Sequence, residues 1–193
     1  VLSCEFHTAR ELTRDLNFGL YITRDLQTAK AWLRSQTRGL RRKGLLASSG
    51  ARRLRADGLG QMLSATDGPA IAHWYLRPPG DIRSSHALEV PANEYTSQGL
   101  EIDFAGLCWG GDLIYDGHAW MTRALGGTKW NVLTNEAKRR FVVNSYRVLL
   151  SRSREGTVIW VPRGDQEDST RSPAEFDGVA ACLQQAGVIS LDH

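Results

Sequence analysis

Two polar segments hold residue types that suit nucleotide and phosphate chemistry. The first, residues 94–104 (EYTSQGLEIDF), combines hydroxyls, a glycine and carboxylates just before an apolar run. The second, residues 144–154 (NSYRVLLSRSR), begins 50 residues later and carries three arginines. A glycine lets the backbone approach a ligand closely, and a guanidinium stabilises the charge that spreads over a γ-phosphate during phosphoryl transfer. Residue types of this kind suit a nucleotide or phosphate site.

Each segment also has a purely structural interpretation when it is taken alone. The first is equally a turn leading into a strand, with Glu101 capping a short helix or pairing with an arginine. The second is equally a basic final turn of a helix, which the helix macrodipole favours. The residue types by themselves leave both interpretations open.

The order and spacing of the two segments resemble motifs V and VI of superfamily 1 helicases. The longer run Leu20–Leu191 is similar to a bacterial helicase-like family related to the Schlafen helicase core, through the stretches QGLE, WGxD and YRVLLSR. The resemblance implies the second RecA-like lobe of a P-loop ATPase that acts on DNA or RNA. It also implies an α/β fold in which a mostly parallel sheet carries helices on both faces.

In the first segment, the resemblance implies a role for each polar residue of motif V. Glu101 is expected to accept a hydrogen bond from the nucleotide ribose. Gln98 and Gly99 are expected to couple the nucleotide to the nucleic acid. Thr96 and Ser97 are expected to offer hydroxyls to phosphates of ATP or of the strand. These residues form the part of the site that is predicted to recognise the nucleotide and the nucleic acid.

In the second segment, the resemblance implies that one arginine completes the ATPase site. Arg152 falls at the Ser/Thr-Arg position of motif VI and is the predicted arginine finger, a device worth about 10³–10⁵ in rate where it has been measured. Arg147 and Arg154 are the alternatives, and each is assigned to nucleotide binding. Tyr146 matches an aromatic residue that holds this helix against motif V.

A third segment, ASSGARR at residues 47–53, has the position of motif IV. A strand that passes through Ser-Ser-Gly into a helix presents backbone N–H groups to an anion. Ser49, Arg52 and Arg53 are therefore expected to contact nucleic-acid phosphates, although simple helix-surface arginines explain the pattern equally well. The polar loop 163–171 also resembles the family, without an assigned role.

Charge is distributed unevenly along the chain. The net charge is +3, but residues 1–60 hold 12 Lys and Arg against 5 Asp and Glu. Such an excess suits the phosphates of a nucleic acid, and it also suits a solvated surface or an acidic neighbour. Seven of the basic residues lie in a run that contains no acid: Arg38, Arg41, Arg42, Lys43, Arg52, Arg53 and Arg55.

The apolar pattern predicts the elements that position these segments. Strand-like runs alternate with amphipathic helical stretches, which favours a parallel sheet with helices on both faces. We expect one domain over residues 1–193, with a lead-in at 1–17 and a long inserted loop at 110–133. The strands are predicted at 18–23, 44–49, 87–90, 104–109 and 157–161, a strand or edge ribbon at 71–76, and the helices at 26–36, 51–56, 135–152 and 173–187.

The sequence lacks a Walker A motif, because Gly126-Gly127-Thr128-Lys129 has neither the length nor the order of G-x-x-x-x-G-K-[ST]. We therefore expect ATP and Mg²⁺ to bind together with a Walker-containing lobe that precedes this one in a longer chain, and neither to bind tightly here alone. Three scattered cysteines and the lack of a long apolar run favour the cytoplasm and no membrane partner. We predict no metal-ligating cluster.

Two other functions remain open at this point. A non-catalytic nucleic-acid or protein-binding module on a degenerate helicase fold is the main alternative. A nuclease is a weaker one, suggested by four acidic residues near predicted strand ends: Glu101, Asp103, Asp112 and Asp165.

Overall fold

A five-stranded parallel sheet forms the centre of the protein. The computed structural model describes Leu2, residues 18–36, Gly39 and residues 41–192, so the predicted lead-in 1–17, apart from Leu2, and Arg38 lie outside the described residues. The strands of the sheet are β1 (Gly19–Thr23), β2 (Lys43–Ala47), β3 (Ile102–Cys108), β7 (Ser153–Trp160) and β8 (Ile189–Ser190). Their order in the sheet is β2-β3-β7-β1-β8, and every neighbouring pair is parallel. All five strands therefore begin at one edge, the amino edge, and end at the other, the carboxyl edge.

Helices cover both faces of this sheet, as the sequence pattern predicts. Alternate residues of each strand point to opposite faces, and the buried residues accordingly divide into two clusters. Leu33 packs on one face with Leu45 and Val158. Tyr146 and Val179 pack on the other face with further strand residues. The helices are α1 (Leu26–Gln36), α2 (Gly68–Leu76), α3 (Glu136–Leu150) and α4 (Pro173–Gln185).

Side-chain caps explain where α1 and α3 begin. Asp25 accepts a hydrogen bond from the Thr28 amide at 2.6 Å, and α1 begins at the predicted residue. Asn135 caps α3, because its side chain accepts from the Lys138 amide at 3.1 Å, so α3 begins one residue later than predicted. An N-cap side-chain oxygen of this kind satisfies one of the free amides at the helix start.

Two predicted strands are wrong. Residues 71–76 belong to helix α2, which begins after Asp67, whose carboxylate accepts from the Ala70 amide at 3.0 Å. The predicted strand at 87–90 is replaced by a short 3₁₀ turn at Ser85–Ala87 and irregular chain. Ala92, just beyond it, forms an isolated parallel bridge to Leu46. Short apolar runs do not distinguish helix from strand by their period, which explains both errors.

The predicted inserted loop at 110–133 is instead a small antiparallel sheet. Its strands are β4 (Leu113–Tyr115), β5 (Trp120–Gly126) and β6 (Lys129–Val132), in that order. The buried Arg123 of β5 ties this sheet to α4 through a bidentate ion pair with Glu175, at 2.7 and 2.8 Å. Within the described part of the chain, no helix is long and apolar enough to cross a membrane.

Candidate functional site

The C-terminal ends of the two motif segments, residues 97–102 and 152–154, meet at the amino edge of the sheet. Residues 98–101 lead into β3, and Arg152 lies between α3 and the neighbouring strand β7. The Ile102 amide donates to the Arg152 carbonyl at 3.0 Å, and Arg152 Nη1 donates to the Ser97 carbonyl at 3.4 Å. Parallel pairing of β3 with β7 thus brings together residues that lie about 50 positions apart in the sequence.

The Arg152 guanidinium is positioned by the backbone rather than by a carboxylate. Its Nε donates to the Val148 carbonyl at 3.1 Å, and Nη2 donates to Ser151 Oγ at 3.4 Å. Among the described residues, no acidic side chain forms an ion pair with it. Burial raises the pKa of nearby Tyr75 to about 12, and the positive charge of Arg152 acts against that rise. A half-buried guanidinium without a counter-charge favours binding of an anion.

The other predicted nucleotide-binding residues surround Arg152 but are differently engaged. Glu101 accepts from Arg154 Nε at 2.9 Å in an exposed ion pair, which raises the pKa of Arg154. Arg147 is exposed on α3, and its guanidinium donates to Asn144 at 3.0 Å. Gln98 and Gly99 are exposed, and Gly99 has a φ of 73°, the left-handed region that glycine tolerates best.

The hydroxyls of Thr96 and Ser97 point into the protein, contrary to their expected exposure to phosphate. Thr96 Oγ1 accepts from the Asn93 amide at 2.8 Å, and Ser97 Oγ donates to the Asn93 carbonyl at 2.7 Å. Both residues are buried. In this conformation the hydroxyls close the turn that precedes β3 and do not reach a ligand.

The predicted motif IV residues lie at the opposite, carboxyl edge. Ser49 donates its hydroxyl and amide to the Glu94 carboxylate, at 2.6 and 2.9 Å. Arg53 forms an ion pair with Asp168, whereas Arg52 is exposed and has no acidic partner among the described residues. Strand β2 separates them from the residues at the amino edge. It has five residues and is roughly 16 Å long, at about 3.3 Å per residue.

The basic run therefore does not form one patch. Arg41 and Arg42 precede β2 at the amino edge, whereas the arginines of residues 52–55 follow it at the carboxyl edge. Arg41 pairs with Glu155 at 2.7 Å. Arg42 donates to backbone carbonyls at the end of α2, including that of Arg77 at 3.3 Å. The two halves of the run are close in the sequence, but strand β2 lies between them and carries them to opposite edges of the sheet.

A buried network around Asp112 is a feature that the sequence analysis missed as a unit. Asp112 accepts from Ser48 Oγ at 2.6 Å and from the Tyr146 hydroxyl at 2.7 Å. The Tyr146 hydroxyl in turn accepts from the Gly110 amide at 3.0 Å. Burial raises the pKa of Asp112, the two hydroxyl donors oppose that rise, and the nearby Glu94 adds to it. The signal was present, because Asp112 ends the WGxD stretch.

The loop 163–171, which had no predicted role, is tied down by one arginine. Arg171 forms ion pairs with Asp57 at 2.7 Å, Asp165 at 2.8 Å and Asp168 at 3.0 Å. Asp168 also accepts from Thr170, and these contacts hold its pKa well below the usual range. The loop is thereby fixed against the 3₁₀ turn Arg52–Asp57.

The acidic residues suggested for a nuclease do not meet. Glu101 and Asp103 lie at the amino edge, whereas Asp112 and Asp165 follow strands at the carboxyl edge. In the part of the chain that the structure describes, no group of three His, Cys, Asp or Glu side chains is placed to hold a metal ion. These four residues therefore do not form one acidic site in the described part of the chain.

Comparison with known proteins identifies the family. The family model for "Schlafen group 3, DNA/RNA helicase domain" matches residues 1–163, which include both motif segments. This chain belongs to that family of helicase-like domains, and its mostly parallel α/β sheet is consistent with a RecA-like fold. Searches of curated proteins and of solved structures returned no match.

Proposed function

We propose that this chain is the second RecA-like lobe of an ATP-dependent DNA or RNA helicase or remodelling ATPase. The observation that carries the proposal is the meeting of the C-terminal ends of the two motif segments at the amino edge, beside an arginine that has no carboxylate partner among the described residues. In this role Arg152 is the arginine finger and Glu101 and Gln98 face the nucleotide. Arg147 and Arg154 supply further positive charge beside it.

The negative charge of ATP complements this edge, because Arg152 and Arg147 lack acidic partners among the described residues. ATP with Mg²⁺ supplies the phosphoryl group that is transferred. The chain's part is to bind the phosphate oxygens through guanidinium groups, to orient the ribose, and to exclude water when the two lobes close. The P-loop lysine and the Mg²⁺ ligands belong, in this proposal, to the Walker-containing lobe.

The test compares the 193-residue chain with the same lobe joined to its Walker lobe. We expect no Mg²⁺-dependent ATP turnover from the chain alone. In the joined protein, Arg152→Ala is expected to lower kcat by about 10³-fold or more, as for other arginine fingers. Arg140→Ala is the matched control, since Arg140 is an exposed arginine on the same helix in a long contact with Glu136. Equal turnover for both variants would refute the proposed role of Arg152.

The second candidate is a non-catalytic nucleic-acid or protein-binding module. The ion pair between Glu101 and Arg154 favours it, because the expected ribose acceptor already has a partner in this conformation. Glu101→Gln separates the two candidates. A motor loses affinity for ATP, seen as a higher KM, whereas a binding module keeps its nucleic-acid affinity and shows no ATP dependence.

A further inference from the structure

A cavity of about 460 Å³ lies at the carboxyl edge, at the opposite end of the sheet from the proposed ATP site. Its wall comes from the loop after β2, from β5, and from the first half of α3. Ligand pockets for small organic molecules have volumes of about 300–1,000 Å³. The cavity is therefore large enough for a nucleobase, and none of the roles proposed for the amino edge uses it.

One wall of the cavity is apolar and partly aromatic. Leu125, Leu133 and Phe141 line it. Phe141 is 45% exposed and stacks on Tyr95, which is 52% exposed, with ring centroids 6.0 Å apart and planes inclined by 26°. Two exposed aromatic rings in register form a surface on which bases stack in single-strand binding proteins, at about 1–3 kcal/mol per base.

The inner end of the cavity is a hydrogen-bond acceptor. Asp112 lines it, and its carboxylate accepts three bonds from the protein, from Ser48, from Tyr146 and from its own backbone amide. A carboxylate oxygen can accept two bonds, so capacity remains. One cation on the wall, Arg123, is held by Glu175 and the Gly111 carbonyl. The carboxylate therefore favours a ligand that donates a hydrogen bond.

The rim of the cavity is basic. Arg52 and Lys138 line it from the 3₁₀ turn and from the first turn of α3. Within the described ranges neither side chain forms an ion pair. Two unneutralised cations beside an apolar slot match the phosphates on either side of a base.

We propose that this cavity takes one nucleobase of a single-stranded nucleic acid, a base with an exocyclic amino group. The base lies against Phe141, its amino group donates to Asp112, and the flanking phosphates lie over Arg52 and Lys138. Adenine, guanine and cytosine have such a group, whereas thymine and uracil place a carbonyl there, which the carboxylate repels. The inference rests on the nucleic-acid part of the proposed function and adds a base preference to it.

The test measures fluorescence anisotropy of the chain with labelled strands of about 12 nucleotides, within the usual site size. Oligo-deoxycytidine and oligo-deoxyuridine have the same ring size and backbone and differ at one edge, where cytosine has an amino group at C4 and an acceptor N3, and uracil has a carbonyl at C4 and an N3–H. We expect the cytidine strand to bind about tenfold more tightly, the scale of one hydrogen bond to a charged group. Asp112→Asn, which is isosteric, is expected to bring that ratio to one or below.

Phe141→Ala tests the stacking surface independently of Asp112, and Phe141→Leu keeps the bulk while removing the ring. Both are expected to weaken the two strands equally, about tenfold, and to leave the cytidine-to-uridine ratio unchanged. Phe141 is half-exposed, so circular dichroism should show a folded protein. This pair of variants keeps the test decisive even if Asp112→Asn fails to fold.

Free dCMP distinguishes a strand from a mononucleotide as the occupant. If dCMP displaces the labelled strand at a concentration equal to the Kd of the strand, a free nucleotide is the ligand. That result would overturn the proposal. A ratio of one in the unaltered chain, or strand binding that ignores both Phe141 variants, would overturn it as well. If no strand binds at all, the nucleic-acid part of the proposed function fails as well. The failure of the base preference and the failure of the proposed function are therefore distinguishable.

Discussion

Tyr146→Phe is the sharpest test of the buried network. The change removes one hydroxyl from a residue with no exposed surface, and it leaves the ring in place. That hydroxyl donates to Asp112 at 2.7 Å and accepts from the Gly110 amide at 3.0 Å. Loss of the hydroxyl leaves a buried amide without a partner and a buried carboxylate with one donor fewer. Each such group costs about 1–3 kcal/mol, so we expect a loss of about 2–4 kcal/mol near neutral pH.

The loss of stability in Tyr146→Phe should also depend on pH, in a direction set by the protonation of Asp112. Burial raises the pKa of Asp112 in the folded protein above its unfolded value of about 3.9. The folded state therefore binds more protons, and stability falls as pH rises from the unfolded pKa through the folded one. The Tyr146 donor opposes this shift, so its removal raises the pKa further. The deficit of Tyr146→Phe should be smaller at pH 4 than at pH 8.

Urea denaturation followed by far-ultraviolet circular dichroism at the two pH values measures both quantities. Tyr95→Phe is the matched control, because the Tyr95 hydroxyl belongs to a half-exposed ring and surface changes usually stay within about 0.5 kcal/mol. A Tyr146→Phe variant as stable as the control would refute the reasoning. So would a deficit that is the same at both pH values.

Two further predictions concern the parts that hold the small sheet and the loop 163–171. Arg123→Ala leaves Glu175 without its bidentate partner and should lower the free energy of unfolding by about 3–5 kcal/mol. Removal of both side chains should lower it by less. A double variant that is no more stable than the single variant would contradict this prediction. Gly164→Ala should destabilise more than Gly127→Ala, although both glycines have positive φ. A methyl group at Gly164 collides with the Arg171 carbonyl, whereas at Gly127 nothing lies within 4 Å, so only the strain of about 1 kcal/mol remains. Thermal unfolding of the two alanine variants compares them directly, and equal midpoints would contradict the steric argument.

The sequence alone was sufficient to predict the fold class and to recognise the two motifs as an ordered pair along the chain. Strongly periodic segments such as α3 and β7 were predicted because a buried stripe and a β-branched run are local properties. The order of the motifs, with Glu101 before Arg152, is also readable along the chain. The family match over residues 1–163 includes both motif segments.

The tertiary structure alone decided which residues share an edge and which hydroxyls face inward. Parallel pairing of β3 with β7 puts Arg152 beside Ser97, whereas β2 carries Ser49 to the far end of the sheet. Thr96 is buried, and its hydroxyl is bonded to Asn93 rather than directed to solvent, which the sequence pattern did not indicate. For the same reason the WGxD stretch showed an aspartate but not its partners. Asp112, Ser48 and Tyr146 meet only because strands and helices from three parts of the chain converge on one buried point.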